Sequence, residues 1–266
     1  MTHFMKAKIK KTVSFGLIFM ASKWTIIYLL YHSGYWTYWF LLLFPIADTC
    51  AAIAAIWYLK GNFKKYFAQV LEELYPNDFK EILSKTDAYY ATLSDEVAFA
   101  KQSKNPLDKR IDFSSYFLSL IAVLEKRGES FQVIREVSIS VAKEYIKPKN
   151  KLHRWYLKMV PKMANKRIGQ YAIRKMQEKV SIKQGAAGFK AQIITNKKET
   201  FGLGYGIDIK SCGICTLFKK HDRSEYMPIL CEIDQLTSQI AGLQLVRTAT
   251  LAAGDGCCDF RFKQMA

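Results

Sequence analysis

Phe201-Gly-Leu-Gly-Tyr-Gly-Ile-Asp-Ile209 separates an all-helical reading of this chain from a mixed one. Phe201, Leu203, Tyr205, Ile207 and Ile209 alternate with other residues, a spacing that suits a strand and not a helix. Gly202, Gly204 and Gly206 leave the opposite face nearly bare, so another part of the chain is expected to pack closely there. No helix follows these glycines directly, so they are not a nucleotide-binding fingerprint. Upstream, Phe189–Thr195 reads as a strand and Asn196–Thr200 as its turn. Downstream, residues 213–241 read as helical with a turn near Pro228, and Leu243–Leu251 and Cys258–Phe262 read as two further strands. The pattern predicts an α+β domain with a small, mainly antiparallel sheet.

Residues 63–103 are mixed and helix-favouring, with Asn77 and Ser94 where N-caps would sit. Asn105-Pro106-Leu107-Asp108 marks a break. Phe113, Phe117, Leu120, Ile121 and Leu124 then keep helical spacing, and Gly128 suits a helix C-terminus. Ser130 is placed to cap the next helix, whose apolar stripe is Ile134, Val137, Val141 and Tyr145.

The 266 residues carry 40 Lys+Arg against 23 Asp+Glu, a net charge of +17. Residues 145–180 hold eleven of those basic residues against the single acid Glu178. Leu152, Trp155, Leu157, Val160, Ile168 and Tyr171 are interleaved with them. A basic amphipathic segment of this kind suits an anionic lipid surface. No zinc-finger, RRM or helix-turn-helix signature accompanies it, so nucleic acid is not the expected partner.

A mean hydropathy of −0.05 conceals two apolar stretches, 12–31 and 35–59, whose only charges are Lys23 and Asp48. Each is long enough to cross a hydrocarbon core, and neither resembles a cleaved secretory signal. Lysines before the first stretch and after the second, with none between, predict a transmembrane hairpin with both ends cytoplasmic. Residues 1–60 are thus expected to be a membrane hairpin, 61–104 a helical connector, and 105–266 the α+β domain.

Five of six cysteines crowd into that domain: Cys212, Cys215, Cys231, Cys257 and Cys258. A cytoplasmic setting argues against structural disulfides. Three chemistries stay open. Cys212-x-x-Cys215 is half of a possible zinc site, or a redox pair, or one member is a nucleophile. Cys231 and Asp234 lie three residues apart, on one helical face.

The run from Leu230-Cys231-Glu-Ile-Asp234 through Arg247-Thr-Ala-Thr250 to Gly254-Asp-Gly-Cys-Cys258-Asp-Phe-Arg-Phe262, with Cys212 before it, resembles the L-2-amino-thiazoline-4-carboxylic acid hydrolase family. The terminal Cys-Asp-Phe-Arg-Phe is the most specific piece. The resemblance spans about residues 105–263 and excludes the apolar hairpin. A more distant likeness is to vinyl-reductase-type domains, which would imply a non-catalytic small-molecule or metal sensor. Cys215 and Cys257 are additions to the family pattern.

The resemblance implies hydrolysis of a small cyclic amidine, without a metal or other cofactor. It implies Cys258 or Cys231 as nucleophile, with Asp234 as amidinium partner or base. Arg247, Arg261 and Cys212 would then contact substrate, the arginines clamping its carboxylate. His221 is a further possible acid, though it lies in a polar run.

Overall fold

The computed structural model describes residues 63–265; the apolar stretches read above as a membrane hairpin lie outside them. Among the described residues no helix is long and apolar enough to cross a membrane. Residues from Phe63 onward form one compact unit. Six helices come first: α1 (Lys64–Leu74), α2 (Phe79–Gln102), α3 (Lys109–Lys126), α4 (Phe131–Ile146), α5 (Lys151–Met163) and α6 (Arg167–Val180). Strands β1 (Lys190–Ile194) and β2 (Gly206–Ser211) follow, then α7 (Gly213–Lys220) and α8 (Met227–Ile240), then β3 (Leu243–Val246) and β4 (Cys258–Gln264). The four strands form the expected antiparallel sheet, in the order β1-β2-β4-β3.

Helix α3 is the centre of this unit. Every residue from Ser114 to Leu124 is buried, as expected of a helix enclosed on all sides. Two of its buried serines are paired within the helix: Ser115 and Ser119 donate to the carbonyls of Asp112 and Ser115. Phe67 of α1 meets Tyr116 and Phe117 edge-on, each at 4.7 Å between ring centres. The stripe Ile134, Val137 and Val141 of α4 is buried in the same core, whereas Tyr145 is half-exposed and stacks on Phe113.

Local signals at the helix ends are partly confirmed. Gly128 adopts φ +85° after α3, and Ser130 caps α4 by accepting the Val133 N–H. Asn77 and Ser94 are not caps: α2 begins after Asp78 and runs unbroken through Ser94 to Gln102. Thr86, Leu93 and Val97 are buried on either side of the expected start, so the helix continues through it. The Asn105–Asp108 break is real and fully buried at both ends. Asn105 donates to the Phe189 carbonyl, and Asp108 accepts from the Phe189 N–H and the Ser103 hydroxyl, joining the start of α3 to the entry of β1.

Three boundaries differ from the sequence reading. The strand containing Ile207 and Ile209 starts only at Gly206, because Phe201 (φ 49°), Gly202 (φ 83°) and Gly204 (φ 62°) curl the preceding chain into turns. The close approach expected on the glycine side is nonetheless present. A Cβ on Gly204 would stand 2.8 Å from Asn165 Oδ1, and Asn165 and Gln170 donate to the carbonyls of Gly202 and Gly204. The break within 213–241 falls at His221–Arg223 and not at Pro228, which occupies the first turn of α8 where its missing N–H costs nothing. β3 ends at Val246, not Leu251, because the Asp259 carboxylate takes the N–H groups of Thr248 and Ala249.

Candidate active site

Strand β2 delivers Cys212 directly to the N-terminus of α7. The buried Ile207 and Ile209 fix the strand on the core, and Gly213 opens the helix. That glycine is obligatory on steric grounds: a Cβ would lie 2.3 Å from the Ala187 carbonyl and 2.5 Å from Ile111 Cδ1. Cys212 itself is the N-cap, its sulfur accepting the Cys215 N–H at 3.5 Å. A helix N-terminus concentrates unpaired N–H groups and positive potential, and so favours thiolate over thiol.

The Cys212 sulfur is acidified to about 7. The Cys215 thiol is the main cause, burial opposes it, and the N–H groups of Cys215 and Ile214 and the Arg110 charge add to it. Cys215 is displaced upward by the same pairing and by burial. Burial pushes Cys231 up to about 11, although Arg247 pulls the other way. Cys258 is also raised by burial, against the Leu251 N–H that its sulfur accepts at 3.2 Å.

These residues share one cavity of about 50 Å³, lined by Arg110, Cys212, Cys215, Cys231, Asp234, Arg247 and Cys258 over an apolar wall that includes Phe189 and Phe260. Asp234 is its electrostatic hinge. Arg110 Nη2 reaches Asp234 Oδ1 at 2.7 Å, and Arg247 Nη1 lies 3.5 Å from Oδ2. Arg247 also donates to the Cys231 carbonyl at 3.1 Å, with its guanidinium 5.0 Å from the Phe260 ring centre. Two guanidinium groups thus face one carboxylate, and a Cys212 thiolate would balance the charge. A wider cleft of about 330 Å³ adjoins the cavity and shares Cys231 and Arg247 with it; Glu232, Gln235 and Thr250 also line it.

Of the residues singled out in the sequence, Cys212, Cys231, Asp234, Arg247 and Cys258 come together here. Cys231 and Asp234 do share a face of α8. Arg261 does not join them: it lies 2.8 Å from Asp208 on the neighbouring strand. His221 also lies elsewhere, 3.1 Å from Glu96. Arg110 is the residue that sequence reasoning missed. It stands in the first turn of α3, 124 positions before Asp234, and nothing local distinguishes it from its neighbour Lys109. Among the described residues, no three His, Cys, Asp or Glu side chains are grouped as a metal ion would need.

The geometry also explains the Cys258–Phe262 sequence. Cys258 pairs with Ile209 across the sheet and lines the cavity. Asp259 fastens the chain just after Arg247; despite burial, the Thr248 hydroxyl and the Thr248 and Ala249 amides hold its carboxyl below the usual range. Phe260 lies against the Arg247 guanidinium, Arg261 neutralises Asp208, and Phe262 stacks on Tyr205 at 5.7 Å.

A family model described as L-2-amino-thiazoline-4-carboxylic acid hydrolase matches residues 114–262. That span is more than half of the chain and contains every cavity residue except Arg110. No curated protein and no solved structure matches the chain. On its sequence match, the chain belongs to the L-2-amino-thiazoline-4-carboxylic acid hydrolase family.

Proposed function

We propose that this protein is a thiol hydrolase that opens a small cyclic amidine of the 2-amino-thiazoline-4-carboxylate type, with Cys212 as nucleophile. The observation that carries the reading is a cysteine capping a helix, acidified to about 7, inside a cavity where two arginines bracket one aspartate. Family membership supplies the substrate class. The family resemblance implies Cys258 or Cys231 as nucleophile; their burial-raised thiols make them the weaker choice near neutral pH.

The chemistry balances with water as the only co-reactant. The Cys212 thiolate adds to the amidine carbon, forming a C–S bond, and the electron pair moves to the ring nitrogen, which takes a proton. The ring C–S bond then breaks, and its sulfur leaves as a thiolate that is protonated. Water adds to the enzyme-bound carbon, and the Cys212 C–S bond breaks to regenerate thiolate and release a ring-opened carbamoyl product. In this reading Arg247, on the border of the two cavities, binds the substrate carboxylate. Asp234 Oδ2, only loosely held at 3.5 Å, accepts an amidine N–H.

The test is turnover of 2-amino-thiazoline-4-carboxylate by the full chain, followed as thiol release. Cys212→Ala is expected to lose on the order of a thousandfold in kcat, and Cys258→Ala far less. Full activity in Cys212→Ala, with loss in Cys258→Ala or Cys231→Ala, would return the nucleophile to those positions. We also read the hydrolase as membrane-anchored with its catalytic domain cytoplasmic, on the composition of stretches 12–31 and 35–59 and their flanking lysines. Extraction of the chain from membranes by alkaline carbonate would refute that anchor.

A further inference from the structure

We propose that α5 and α6 form a docking face for an anionic lipid surface, independently of the hydrolase reading. No residue of α5 is buried, although half of its residues are large and apolar. Leu152 is 71 % exposed, Trp155 58 % and, at the start of α6, Ile168 75 %. Leu152, Trp155, Tyr156 and Met163 fall on one side of α5 by helical spacing, and Lys151, Arg154, Lys158 and Lys162 on the adjoining side. An apolar stripe beside a basic one is the arrangement of a helix lying in a headgroup layer, where lysine and arginine stems run along the apolar surface with the charge in water.

Helix α6 is seated on the core through buried Ile173 and Val180, whereas α5 has no buried residue and is held at its ends. Asn150 caps α5, accepting the His153 N–H at 2.7 Å. At the corner between the helices, Gln170 donates to the Ala164 and Gly204 carbonyls, at 2.7 and 3.2 Å, and Asn165 donates to that of Gly202. The exposed side chains are therefore presented on a backbone anchored to the loop before β2.

Charge selects the occupant. Residues 145–180 carry eleven basic residues against Glu178, which is already paired with Lys175 at 3.2 Å. Two copies of so basic a face would repel each other. Phosphates of a nucleic acid would satisfy the charge, but would leave Leu152, Trp155 and Ile168 in water. The boundary between headgroups and acyl chains satisfies both.

The test uses the full chain reconstituted in vesicles, with a benzophenone amino acid replacing Val160, which is 49 % exposed. A second probe replaces Leu152. Vesicles are neutral phosphatidylcholine, or contain about one third phosphatidylglycerol. The expected result is a lipid adduct at least about tenfold stronger with the anionic vesicles, falling about fivefold for each of Lys158→Gln and Lys162→Gln. Equal adducts with both vesicle types, or none with either, would overturn the proposal, as would adducts to a second copy. Adducts to added duplex oligonucleotide in preference to lipid would assign the face to nucleic acid instead.

Discussion

At Cys212 the chemistry of one sulfur depends on where its neighbours point. Its folded thiol titrates near 7 against an ordinary 9.0, so the native state gives up the proton first. The stability this group contributes is complete above about 9 and is lost as pH falls through about 7. Melting temperatures measured across that range should rise more steeply with pH in the wild type than in Cys212→Ala. Iodoacetamide should label Cys212 fastest, with a rate midpoint near pH 7, and Cys231 only near pH 11. Uniform slow labelling of all cysteines would contradict the assignment. For the arginines, loss of a charge-assisted contact of about 1.5–3 kcal/mol predicts that Arg247→Ala raises KM roughly ten- to hundredfold. Arg261→Ala, outside the cavity, should leave KM unchanged. The family resemblance implies both arginines as carboxylate clamps; the cross-strand Asp208 removes Arg261 from the site.

For the strand and helix that flank the sulfur, the decisive position is Gly213. A methyl group there must displace the Ala187 carbonyl or the helix itself, an overpacking penalty of about 1–3 kcal/mol. Gly213→Ala should therefore lower thermal stability and abolish rapid Cys212 labelling together, since the cap geometry moves with the helix. Gly128→Ala is the informative control: its φ is +85°, but nothing lies within 4 Å of an added Cβ. It should cost about 1–2 kcal/mol through backbone strain alone and leave labelling intact. Gly128 and Ser130 were readable because capping is local. Ser94 was misread because burial of Thr86 and Leu93 on the same helix outweighs a cap-like residue in its middle.

Across the described residues as a whole, helices and sheet share one core through α3. Phe117 is fully buried and meets Phe67 and Phe113, so Phe117→Ala should cost about 3–5 kcal/mol by calorimetry or denaturant unfolding. The cavity is a product of the same arrangement: α3 contributes Arg110, β2 leads to Cys212, α8 carries Cys231 and Asp234, and β4 begins with Cys258. The helix stripes of α3 and α4, the α+β class with its antiparallel sheet and the basic character of residues 145–180 were determined by the sequence, because each rests on residue spacing or composition along a continuous stretch. Which cysteine becomes a thiolate, and which arginines surround Asp234, were decided only by tertiary structure. Electrostatic potential at a sulfur is set by charges and N–H groups within a few ångströms, and here the fold brings them from Arg110, α7 and the chain after β3, which the sequence keeps far apart.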